Sequence, residues 1–202
     1  MPVHYAVDIE TWTGDGGGLD PTVESTRITS VAIYSGDAAV VFDDHDEARL
    51  LRSLRNWLLD ESTEPGIIVT WNGANFDMPF LMTRSALCGV ELGIHGVTSA
   101  ERAPKYQACP GHDGGYAVAW GAHDHVDLMY AWREYADAAG IRHGLKPVAQ
   151  HAGLDPIVVD ASHMEALSIA EQCAYNISDV EVTWRLAQMV DITPWLDSKI
   201  LS

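Results

Sequence analysis

The chemistry in this sequence is carried by carboxylates. Asp8 and Glu10 stand two apart in AVDIETW, Asp77 closes WNGANFD, and Asp179 closes YNISD, where Tyr175 stands four residues earlier. Residues two apart in a strand point to the same side. Asp8 and Glu10 therefore share a face, about 7 Å apart by strand rise. Residues four apart on a helix also share a face, which aligns Tyr175 with Asp179. Each signal alone has a plain structural reading. Asp8 and Glu10 suit a solvated strand face, Asp77 a helix cap, and Tyr175 with Asp179 an ordinary helix edge. Together, four acids from three separate segments are what two hard divalent cations, Mg²⁺ or Mn²⁺, require, because such ions take oxygen ligands. Clustered carboxylates without metal repel one another and raise each other's pKa. Two ions about 3.5–4 Å apart can activate a water and stabilise the leaving oxygen of a phosphodiester.

The elements that must position these groups follow from periodicity and turn residues. Val3 to Thr11 reads as a strand and TGDGGGLD as a glycine-rich loop. Arg27 to Tyr34 and Ala38 to Phe42 read as strands joined by a turn at Ser35-Gly36-Asp37. Leu50, Leu51, Leu54, Trp57 and Leu58 form an apolar stripe that predicts a helix over 45–59. Ile67 to Trp71 is a short apolar run suited to a buried parallel strand. Phe76 to Leu87 reads as a helix with Pro79 in its first turn. Residues 91–125 read as an irregular insertion, with a hairpin expected from Tyr116 to Leu128. Helices are expected over 127–139 and 144–151, and Ser168 with Glu171 forms a capping box opening a helix to about Val190. The order predicts a single α/β domain over 1–202. Its mixed sheet has three antiparallel strands plus parallel strands, with helices on both faces.

Composition allows a normal core, with 47% hydrophobic residues in 202. No apolar run approaches the roughly 18 residues of a membrane span. The N-terminus shows no basic head followed by an apolar stretch, and Cys88, Cys109 and Cys173 are odd in number and scattered. A cytoplasmic location is expected. The net charge of −17, from 29 acidic and 12 basic residues, repels a phosphate backbone. Bound divalent cations invert the local field at a carboxylate site, and an acidic, lysine-poor surface also suits high ambient salt.

The three motifs resemble those of the DEDD superfamily of 3′→5′ exonucleases, and within it the proofreading domain of family B DNA polymerases. The resemblance implies a ribonuclease H-like fold and makes Asp8, Glu10, Asp77 and Asp179 metal ligands, with Tyr175 orienting or helping to activate the attacking water. The related DEDDh enzymes carry a histidine five residues before the last aspartate, where this chain has Ala174; the tyrosine four before it marks the DEDDy type. The resemblance extends to His125-Val-Asp127-Leu-Met and to Gly144-Leu-Lys146-Pro-Val-Ala149. It implies release of nucleoside 5′-monophosphates from single-stranded DNA, in proofreading or DNA repair. With no room for palm or fingers, the chain is expected to act alone or beside a polymerase or repair partner.

Candidate substrate contacts are Thr11, Trp12, Asn72, Asn75, Phe76 and Lys146. Trp12 suits either base stacking or packing against the sheet, Asn75 suits building a tight turn, and Asn72 suits either role. Lys146 and Arg142 suit phosphate contacts or plain solvation, and Asp127 suits a helix cap. Cys109, His112, His123 and His125 are only loosely spaced like a zinc site, which takes more regular ligand pairs. An exoribonuclease on the same fold, or an inactive ribonuclease H-like interaction domain, stands as the alternative; contacts to the 2′-hydroxyl separate RNA from DNA.

Overall fold

The structure is a computed structural model that describes residues 2–12, 19–60, 62–102, 115–159 and 167–202. In chain order its elements are β1 Val3–Trp12, β2 Arg27–Tyr34, β3 Ala39–Asp43, α1 Glu47–Leu58, β4 Gly66–Thr70, α2 Asp77–Leu87, β5 Ile94–Thr98, β6 Tyr116–Trp120, β7 Asp124–Asp127, α3 Leu128–Ala131, α4 Arg133–Ala139, α5 Leu145–His151, α6 Ile169–Gln188 and α7 Ser198–Leu201. The main sheet runs β3-β2-β1-β4-β7. Strands β1, β2 and β3 pair antiparallel. Strands β1, β4 and β7 run parallel. This is the expected mixed α/β sheet.

Alternation along β1 divides the core. Tyr5, Val7 and Ile9 pack with Leu50, Leu51 and Leu54 of α1 and with Phe80 and Leu81 of α2. Ala6, on the opposite face, packs with Val180, Val182 and Leu186 of α6 and with Val148 and Ala149 of α5. Helix α1 starts where the Asp46 carboxylate accepts from the Arg49 N–H at 3.1 Å. Helix α6 starts at the Ser168–Glu171 capping box. Among the described residues no helix is long and apolar enough to cross a membrane.

Two expectations are corrected. The hairpin from Tyr116 to Leu128 does not form: β6 pairs with β5, from Ile94↔Trp120 to Thr98↔Tyr116, as a separate two-stranded sheet. Strand β7 instead joins β4 in the main sheet, where His125, Val126 and Asp127 are all buried. A strand covered on both faces suits a parallel ladder, and β7 takes that place at the β4 edge of the main sheet. Only the Trp120↔His123 bridge remains between the two. The helix expected over 127–139 is two helices, α3 and α4, that meet at Trp132, which turns into the core at 7% exposure.

Buried ion pairs brace the connections. The Arg84 guanidinium meets the Glu47 carboxylate at 2.6 Å and also donates to the carbonyls of Pro21 and Val23. Glu47 accepts in addition from the Ile28 N–H at 2.8 Å. Asp197 accepts from Arg102 at 2.7 Å and from the Val118 N–H at 2.8 Å, and bonds His125 Nδ1 at 2.6 Å; His125 Nε2 meets Thr70 Oγ1 at 2.9 Å. Removing one partner of a buried pair strands the other charge. Arg84→Met should therefore destabilise the chain by about 3–5 kcal/mol in urea unfolding, and Arg84→Met with Glu47→Met should recover most of that loss. Equal losses in the single and double variants would contradict this role.

Candidate active site at the carboxyl ends of the parallel strands

Parallel strands β1, β4 and β7 end on one edge of the sheet, where open α/β sheets place their sites. Asp8 and Glu10 lie on β1 with the parity of Ala6, so they face α6. The turn after β4 is held tightly. Asn72 adopts φ 64°, the one left-handed non-glycine residue among those described, a conformation asparagine tolerates. At Gly73 a Cβ would lie 2.2 Å from Thr70 Oγ1, so only glycine fits. The Asp127 carboxylate accepts from the N–H of Asn72 at 2.8 Å and of Ala74 at 3.1 Å, and caps α3 through the Met129 N–H at 3.0 Å. The expected cap is present, and the same side chain also shapes the turn.

This turn delivers Asp77. Its carboxylate lies in the first turn of α2, bonds its own backbone N–H there, and accepts from the Ile9 N–H at 3.2 Å, between Asp8 and Glu10. From the other side, α6 is pinned where Asn176 donates to Ser30 Oγ at 2.9 Å. Tyr175 and Asp179 then face the strand edge. Asp8, Glu10, Asp77, Tyr175 and Asp179 line one cavity of about 250 Å³, together with Ile9, Trp71, Asn72, Phe76 and Val159.

Lys146, at the start of α5, enters this cluster. Its ammonium pairs with Asp179 and lies 4.2 Å from the centroid of the Tyr175 ring. Plain solvation is excluded for Lys146, whereas Arg142 is exposed. Asn75 serves the turn: its amide donates to Asn72 Oδ1 at 3.1 Å and to the Tyr130 hydroxyl at 3.0 Å. Thr11 is half-buried, and Trp12 is 40% exposed beyond the cavity. Sequence reasoning missed Trp71 and Val159. Trp71 had a signal in adjoining Asn72; its indole N–H donates to the His143 carbonyl at 3.1 Å, tying the turn to the approach to α5. Of the zinc-like set, Cys109 and His112 lie outside the described residues. His123 Nδ1 accepts from the Gly66 N–H at 3.2 Å and His125 is buried against Asp197, so both serve the fold.

Burial governs the electrostatics. It pushes the Asp8 carboxyl up to about 7, against the pull of Lys146. It pushes Glu10 up to about 8, with Asp8 adding repulsion. Asp77 is raised by burial and then by Asp8. Burial lowers Lys146 to about 8 while Asp8 and Glu10 oppose that fall. Burial, then Glu10 and Asp8, raise the Tyr175 hydroxyl to about 12. Among the described residues no group of three or more His, Cys, Asp or Glu side chains closes into a ready metal shell. The donors nevertheless fit divalent cations in kind. They are all carboxylates, they share one cavity, they are short of countercharge, and a lysine ammonium already occupies the cationic role beside Asp179.

Raised carboxyl values mean that the folded chain holds these protons more tightly than the unfolded one. Their contribution to stability is present below about pH 4 and is lost as pH rises through about 7 to 8. Without divalent metal, the melting temperature should fall across that window, and Asp8→Asn should reduce the fall by about 3 °C or more. Parallel pH profiles for the two proteins in thermal unfolding would count against the raised carboxyls.

Residues 6–109 match the family model for the DNA polymerase family B exonuclease domain. The fold is similar to the structure of the family B DNA polymerase from the hyperthermophilic archaeon Pyrobaculum calidifontis, with a TM-score of 0.67 and 20% identity over 94% of this chain. The match spans 24% of that polymerase, so this chain corresponds to about a quarter of its length. With more than half of the sequence matched, the chain belongs to the family of exonuclease domains found in family B DNA polymerases.

Proposed function

We propose that this chain is a 3′→5′ exonuclease of the DEDDy type, acting on the 3′ ends of single-stranded DNA and releasing nucleoside 5′-monophosphates. The observation that carries the reading is that Asp8, Glu10, Asp77, Tyr175 and Asp179, far apart in sequence, line one cavity. Asp8, Glu10, Asp77 and Asp179 are the proposed ligands for two Mg²⁺ or Mn²⁺ ions. Bound there, such ions supply a water of lowered pKa and charge stabilisation for the departing 3′ oxygen.

The chain's own groups then divide the remaining work. Tyr175, held near 12, keeps its proton at neutral pH. It therefore orients the attacking water as a hydrogen-bond donor. Lys146 neutralises the carboxylates before substrate arrives and offers its ammonium to the phosphate. Asn72 and Phe76 line the wall where the terminal nucleotide would rest. The turn held by Asp127 and Asn75 fixes that wall in advance, which lowers the ordering cost of binding. A polymerase or repair partner is the proposed setting, with proofreading as the task.

The test is digestion of a 5′-labelled DNA strand, beside the matched RNA strand, with Mg²⁺ or Mn²⁺ and with chelator. A ladder that shortens from the 3′ end and vanishes with chelator is expected. Asp8→Ala and Asp179→Ala should abolish it with the fold retained, and Tyr175→Phe should lower kcat by about 10²-fold. A wild-type chain inert on both strands with both ions would overturn the assignment, and faster RNA cleavage would transfer it to exoribonuclease.

A further inference from the structure

Trp12 and Arg27 are cross-strand partners at the end of the β1–β2 ladder. The Arg27 guanidinium carbon lies 5.4 Å from the centroid of the Trp12 ring. The register shift beside Glu10 skips Thr29 of β2. On the far side of that bulge Ile28 belongs to the core against α1 and α2, which turns Arg27 to the face toward α6. Trp12 has the parity of Asp8 and Glu10 and lies on that same face. The pair therefore stands next to the acidic cavity, about 7 Å beyond Glu10 along the strand, on the side opposite Asn72 and Phe76.

Other cations near the site are committed. Arg84 is bound to Glu47, Arg102 to Asp197, and Lys146 to Asp179. Arg27 lies against an aromatic ring, and its Nε is buried without a hydrogen-bond partner. Trp12 remains 40% exposed, a high figure for so large an apolar ring. An open indole with a guanidinium beside it presents a stacking face and a charge together. Nucleobases stack on such faces irrespective of sequence, and arginine adds a cation for the backbone.

We propose that Trp12 and Arg27 form a shelf for a nucleotide adjoining the scissile phosphate on the β2 side, with the base on the indole and the phosphate at the guanidinium. The shelf rests on the exonuclease reading and deepens it. It gives a chain of net charge −17 a local reason to accept a single strand across its acidic edge.

The test measures binding by fluorescence anisotropy, separately from cleavage. The probe is a fluorescein-labelled oligothymidylate in calcium buffer, with and without one abasic nucleotide near the 3′ end. Trp12→Ala should weaken binding about tenfold, and Trp12→Phe should restore most of it. The abasic probe should bind wild type more weakly than the intact probe, and Trp12→Ala should erase that difference. Arg27→Gln should lower the slope of log affinity against log salt by about 0.7, as for one lost phosphate contact on a single strand. Wild-type affinity in Trp12→Ala, an abasic penalty retained in that variant, an unchanged salt slope in Arg27→Gln, or no binding by wild type would each overturn the shelf. An active wild type with these results loses only the shelf; an inert wild type loses the exonuclease reading itself.

Discussion

Four carboxylates face one small cleft, and the cost of burying them together is the constraint around which the molecule is arranged. Burial removes Asp8 and Asp77 from the water that would screen them, so each resists ionisation. Within the cluster, the Ile9 N–H that donates to Asp77 and the ammonium beside Asp179 offset that cost only locally. The convergence is imposed from outside, by apolar packing on both faces of the sheet, Leu50 and Phe80 on one side and Val180 and Leu186 on the other. One ammonium, Lys146, offsets part of the charge. Asp8, Glu10 and Asp77 stay raised above the ordinary carboxylate range even so.

The backbone around the cleft carries little slack. Asp127 grips the left-handed turn at Asn72 from below, Thr70 packs where a side chain at position 73 would sit, and Asn75 bridges Asn72 and Tyr130. Tyr130 in turn donates to the Arg102 carbonyl at 2.7 Å. Asp77 thus reaches β1 from a turn that is bonded on several sides. Precision at an acidic site of this kind comes from the peptide groups and polar side chains behind it.

Much of this was legible in the sequence because the signals were local. Strand parity placed Asp8 and Glu10 on one face, and helical spacing placed Tyr175 with Asp179. The capping box at Ser168 located the start of α6. The parts that were hidden depend on tertiary pairing. His125-Val126-Asp127 has no alternation to show that it prefers β4 over its neighbour β6. The break at Trp132 follows from where the indole finds the core. The position of Lys146 could not be read from composition, since a lone lysine on a short helix is usually solvated; only the fold shows that α5 points it at Asp179. Trp71 and Val159 joined the cavity through shape, which no short motif encodes.

The Asp197 carboxylate joins Arg102, His125 and the N–H of Val118, all buried, from the segment between α6 and α7. The segment that carries Asp197 is thereby a keystone of the fold. A chain shortened by protease or premature termination just ahead of that aspartate would keep every acid of the cleft. It would nevertheless leave a guanidinium and an imidazole facing each other in the interior with no anion between them. The damage would travel through Tyr130 and Thr70 to the turn that presents Asn72, so the cleft would loosen from behind although none of its own side chains had changed.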